Sequence, residues 1–128
     1  MRTGLALLAS IAMALPAAVA AESPPLSPET LQDFRCLAVA AILMTTEDVE
    51  GAQAAGLMGS MYYFGRIDGR APDADLEQGI VDASLAISNA AKFAAEAELC
   101  GALLAARGKI LEQAGLRVQA RAAKMPNT

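Results

Sequence analysis

The sequence predicts an all-α domain, a small four-helix bundle closed by one disulfide. Three observations lead there. Apolar residues recur at helical spacing in four segments. No segment alternates as a strand or carries a hairpin turn. Cys36 and Cys100 stand far apart in a chain that opens with an export signal.

That signal occupies residues 1–20. Arg2 gives a positive start, Leu5 to Leu15 is apolar except for Ser10, Pro16 breaks it, and Ala18-Val19-Ala20 is a small-x-small cleavage site. The apolar run is shorter than the roughly 20 residues of a spanning helix. The next longest, Cys36 to Met44, is nine residues, so no membrane association is expected after cleavage. A periplasmic or secreted location follows as the expectation. Residues 21–27, with Pro24 and Pro25, read as an extended linker, 28–117 as the helical domain, and 118–128 as a fraying tail that Pro126 ends.

Ser27-Pro28-Glu29 opens the first helix: a capping hydroxyl, proline at the first helical position, and an early carboxylate. It should run to about Met44. Leu31, Phe34, Cys36, Leu37, Val39 and Ile42 are apolar, and Gln32, Asp33 and Arg35 mark the wet side. Its second half is apolar nearly all round, which suits a central position. Thr45-Thr46-Glu47-Asp48 reads as the second start, with that helix ending near Phe64. Its glycines each cost about 1 kcal/mol relative to alanine. Close approach of another helix along Ala52-Gly56-Ser60 would offset that.

Pro72-Asp73 opens the third helix, with Asp73 as cap, Asp75 and Glu77 in the first turn, and Leu76, Ile80, Val81, Leu85, Ile87 and Ala91 as its stripe. Leu99, Cys100, Leu103, Leu104, Ile110 and Leu111 continue a helical pattern into a fourth. The break between the two falls somewhere from Ser88 to Glu96. A Cys36–Cys100 bridge would join the first helix to the last, and loop entropy gives it roughly 4 kcal/mol.

Several functions are poorly supported. Without Arg2 the chain has nine basic and fourteen acidic residues, a net charge near −5, so it lacks the basic face that nucleic acid requires. There is no histidine, which excludes Ser-His and Cys-His catalysis, and no glycine-rich phosphate loop. Glu47/Glu50 and Glu96/Glu98 read as wet helix ends or faces rather than acid–base pairs. Met58 and Met61, with Met44, have a spacing that soft copper(I) could use, but at helical spacing it is ordinary core filling, and no histidine is present to complete a site. No enzyme activity, metal or cofactor is expected.

The stretch "MYYFGRIDGRAP", residues 61–72, holds three of the five aromatic residues and two arginines four apart. In one reading Tyr62, Tyr63 and Phe64 form the last turn of helix two, Gly65 or Gly69 makes its exit, and Asp68-Gly69 turns. Arg66 and Arg70 are then clasped by Asp68, Asp73 or Asp75. In the other, Arg66, Arg70 and a tyrosine hydroxyl surround an anionic ligand. A separate candidate is an interaction surface on helix two, at Gly56, Leu57, Met58 and Met61, for a protein partner, self-association or an apolar ligand.

The early cysteine, "YYFGRIDGR" and late "CGALLAARG" resemble small secreted two-cysteine helical proteins of alphaproteobacteria. More loosely, the layout is similar to HdeA-type periplasmic acid-stress chaperones, which are all-helical with one disulfide between first and late helices. That resemblance implies release of apolar surface at low pH and the holding of unfolding clients. The expected function is therefore a small exported interaction protein, holdase-like or stress-related. A ligand-binding module and a structural subunit or homodimer are the alternatives.

Overall fold

A computed structural model describes residues 24–125, and the expected signal peptide lies outside them. Four helices follow in order: α1 (Pro28–Met44), α2 (Ala52–Arg70), α3 (Leu76–Ala86) and α4 (Ala90–Ala122). There is no strand among the described residues.

The first helix starts as its sequence dictates. Ser27 is extended, and its hydroxyl accepts from the Thr30 amide at 3.1 Å, with Pro28 in the first turn. The two threonines after it do not start α2. Their hydroxyls donate back to the Ile42 carbonyl at 2.9 and 3.0 Å and close the end of α1. An unpaired carbonyl at a helix end is as strong a claimant for a hydroxyl as an unpaired amide at a helix start. α2 begins later, after Gly51, whose φ of 78° is the left-handed turn that only glycine makes cheaply.

α2 also continues past Phe64 through the whole of "YYFGRIDGR". Gly65 and Gly69 are helical and Asp68-Gly69 is not a turn, so the expected exit there is corrected. Pro72 ends the helix instead, because it pushes Ala71 out of the helical region. The start of α3 moves likewise: Asp75, not Asp73, caps it by accepting from the Gln78 amide at 3.0 Å. Asn89 caps α4 through the Lys92 amide, placing the break at residues 87–89. α4 then runs to Ala122, five residues beyond the expected end of the domain.

α1 is central, and α2, α3 and α4 each pack against it. Phe34, Cys36, Leu37, Ala38 and Val39 of α1 meet Tyr63 and Ile67 of α2, Ala83 of α3, Ile87 at the end of α3, and Cys100 of α4. Burial runs around α1 at its middle, while Ile42 and Met44 at its end are exposed. Small residues set the spacing. A Cβ on Gly56 would lie 2.5 Å from the Met44 amide nitrogen and 2.7 Å from the Ala40 oxygen, so α1 and α2 are in backbone contact there. On α3, a Cβ on Gly79 would overlap the Phe34 ring. Little else of α3 is covered: Ala83 is buried, and Val81 and Leu85 of the expected stripe are exposed. Beyond Leu104 every residue of α4 is exposed except half-buried Ala114, so the helix leaves the bundle.

Candidate functional site

The α1–α2 interface carries a buried carboxylate. Asp33 follows Thr30 by three residues and precedes Leu37 by four, and all three are buried on one line of α1. Its side chain is 1% exposed. Arg66 Nε donates to Asp33 Oδ1 at 2.8 Å, and Arg70 Nη1 donates to Oδ2 at 2.5 Å. One turn of α2 separates the two arginines, so both reach the same carboxylate.

The tyrosines complete the arrangement. Arg66 Nη1 donates to the Tyr62 hydroxyl at 3.0 Å and lies 5.4 Å from the centre of its ring. Tyr62 and Tyr63 meet edge to face at 5.0 Å. Tyr63 is buried and donates its hydroxyl to the Cys100 carbonyl at 2.6 Å, linking α2 to the disulfide. Burial, reinforced by the negative charge of Asp33 and by Tyr62, pushes the Tyr63 phenol up to about 12 against the pull of Arg66. Burial works against the charge of Arg66, but its bonds to Tyr62 and Asp33 outweigh that and hold its pKa above the ordinary value.

Arg66, Arg70, Tyr62 and Tyr63 are therefore gathered in one place, but the expected acids are not their partners. Asp68 is exposed and makes no ion pair among the described residues; Asp73 makes none either, and Asp75 serves the cap of α3. The anion between the two guanidinium groups is Asp33, which the sequence had placed on the wet side. Its neighbours Gln32 and Arg35 are partly exposed, so only the line shared with Leu37 distinguished it.

The disulfide joins Cys36 and Cys100 with Cα atoms 5.4 Å apart. A polar cluster lies over it. Gln32 donates to Glu96, Arg35 Nη2 donates to Gln32 Oε1 at 2.5 Å, and Arg35 Nε approaches Glu96 at 3.4 Å. Glu96 and the two sulfurs are close enough to suggest metal ligands. The sulfurs are bonded to each other, so neither is a thiolate that could ligate one.

Two further places bear on binding. An open cleft of about 530 Å³ lies between residues 24–27 and the α2–α3 connection, walled by Pro24, Pro25, Leu26 and Pro72, with Arg70 at its edge. The outer face of α2 presents Leu57, Met58, Met61 and Phe64, each between 47% and 71% exposed. Gly56, by contrast, is buried against α1 and belongs to the packing side. Met58 and Met61 thus fill no core. Among the described residues no helix is long and apolar enough to cross a membrane. No known protein-family profile, curated protein or solved structure matches the chain.

Proposed function

We propose that this chain is an exported, non-catalytic interaction protein that holds other proteins through uncovered apolar helix faces. The observation that carries this reading is the α2 outer face, where Leu57, Met58, Met61 and Phe64 form a continuous exposed stripe. Contiguous apolar surface of this kind on a small protein marks a partner site. The Arg66–Asp33–Arg70 clasp supports it by supplying the arginines with an internal anion, which leaves them little pull on an external one.

The holdase-like form of this reading has an acid arm. Protonating fourteen carboxylates takes the exported chain from a net charge near −5 to near +9, which adds self-repulsion. The bridge between α1 and α4 then limits expansion. Binding of a hydrophobic dye should rise at about pH 2–3 with helical circular dichroism retained. In the same range the chain should suppress aggregation of an acid-unfolded client. Unchanged client aggregation at both neutral and acid pH rejects the reading.

A ligand-binding module is the second reading, favoured by the cleft beside Arg70. Arg70→Ala separates the two. A ligand site loses binding in addition to the stability the clasp supplies, whereas a residue that serves the clasp alone loses stability only.

A further inference from the structure

The face that docks α4 on α1 does not stop where the helix leaves the bundle. Phe93, Ala97, Cys100 and Leu104 lie on the packed side, and the same line continues as Leu111 and Val118. From Gly101 to Ala122 this seam reads Gly101, Leu104, Gly108, Leu111, Gly115, Val118, Ala122, at alternating spacings of three and four. That alternation is the pattern of a seam between two helices. Nothing among the described residues lies within 4 Å of a Cβ placed on Gly101, Gly108 or Gly115, so none of them uses the room these glycines leave. Because α4 is one continuous helix, its far half cannot fold back to find a partner.

Charge indicates what the partner is. Residues 24–104 carry twelve carboxylates against four cations, and residues 105–125 carry one carboxylate against five. The sign changes where α4 leaves the bundle. The outer face of α2 is the complementary surface. It has no charged residue between Ala52 and Gly65, with exposed Glu47, Asp48 and Glu50 before its first turn and Asp68 near its end. The cations of the α4 extension fall at its two ends, Arg107 and Lys109 near the bundle and Arg117, Arg121 and Lys124 towards the tip. Lengths agree as well. The 19 residues of α2 span about 28 Å, and residues 105–122 span about 27 Å.

We propose that a second copy of this chain is the occupant. The α4 extension of each protomer lies antiparallel along the outer face of α2 of its partner, in a reciprocal two-fold pair. This rests on reading those faces as interaction surfaces, and it names what covers them. Leu111 and Val118 pack with Leu57, Met58, Met61 and Phe64. The tip cations meet Glu47, Asp48 and Glu50, and Arg107 and Lys109 approach Asp68. Pairing of one extension with another is disfavoured, since each carries five cations against one carboxylate. An anionic lipid surface would attract the extension but repel the acidic bundle and leave the α2 stripe exposed.

The test is the mass of the purified chain, as the cell processes it, by light scattering at low salt and micromolar concentration. The pair predicts twice the chain mass, weakening as salt rises. The triple variant Glu47→Lys, Asp48→Lys, Glu50→Lys and the triple variant Arg117→Glu, Arg121→Glu, Lys124→Glu should each weaken association at least tenfold. Mixed one to one they should pair again, since every contact is then between opposite charges. Met61→Lys should weaken the pair too, and circular dichroism checks that each variant is folded. A single-chain mass for the parent overturns the proposal, as does a pair indifferent to all three variants. Sedimentation of a single-mass parent with phosphatidylglycerol vesicles assigns the extension to lipid and also overturns it. Client protection retained in single-mass variants leaves the holding function standing without making the pair its basis. Its loss with pairing intact removes that function and leaves the pair.

Discussion

Arg66 and Asp33 meet at 2.8 Å across the α1–α2 interface, and Arg70 takes the other oxygen of the same carboxylate. The arrangement is lopsided: the anion is buried, while both cations reach water. Removing the anion and removing a cation should therefore differ. Asp33→Ala removes both charge-assisted hydrogen bonds at once and leaves two neighbouring cations that water still reaches, so it should cost about 2 kcal/mol. Arg70→Ala leaves Asp33 with Arg66 and should cost about 1 kcal/mol. Urea denaturation midpoints would show the order, and a larger loss for Arg70 than for Asp33 would contradict the clasp.

Tyr63 makes a different kind of link, from the middle of α2 to the Cys100 carbonyl. Its phenol is held neutral up to about 12 in the fold, against 10.0 for the free group, chiefly by burial. A pKa raised by folding means the protonated form is the one the fold favours. The corresponding stability is complete below pH 10 and is lost as pH climbs from there through about 12. Tyr63→Phe should lose about 1 kcal/mol at neutral pH through the missing hydrogen bond. It should also flatten the alkaline fall in stability over that window, as read from denaturation midpoints against pH. An equally steep fall in the variant would place the titration elsewhere.

The fold class, the helix count and the cysteine pairing were legible because each rests on a local or covalent rule. Ser27-Pro28-Glu29 has one good use, and two cysteines have one intramolecular bridge. Helix ends failed where a residue had two uses. Thr45 and Thr46 serve a start or a stop equally well, and only the carbonyl at Ile42 decides. Gly65 and Gly69 resemble exits, yet α2 runs through them to Pro72 because Tyr63 and Ile67 are buried against α1 and hold that face in place. Asp33 was missed for a related reason. A carboxylate among Gln32 and Arg35 looks wet until the cations that bury it arrive from residues 33 and 37 positions away.

The glycines of α2 should divide into two behaviours. Gly56→Ala gains about 1 kcal/mol of helix propensity. It also drives a methyl group into the backbone of α1 at Ala40 and Met44, where neither atom can swing aside. Overpacking of that kind costs typically about 1–3 kcal/mol, so the net should be destabilising. Gly65→Ala meets nothing within 4 Å and should stabilise by roughly 0.5–1 kcal/mol. Thermal midpoints of the two variants should shift in opposite directions. A shift in the same direction would mean that α1 and α2 are not in backbone contact at Gly56.

The disulfide holds a helix that has little else to hold it. Cys100 is the only buried residue of α4, and Phe93, Ala97 and Leu104 are half-covered. α1 and α2, by contrast, share the clasp, Ile67 and the Gly56 contact. Replacing both cysteines by alanine should cost roughly 4 kcal/mol by loop entropy. The loss should be uneven, because α4 can detach while α1 and α2 stay packed. Hydrogen exchange should therefore accelerate first across residues 93–104, with Phe34, Leu37 and Ile67 amides protected longest. Tyr63 would lose its acceptor as α4 leaves, so Tyr63→Phe should cost less stability in the double variant than in the bridged chain. Uniform acceleration across all four helices would mean instead that the bridge stabilises the bundle as one unit and that α4 is not its weak member.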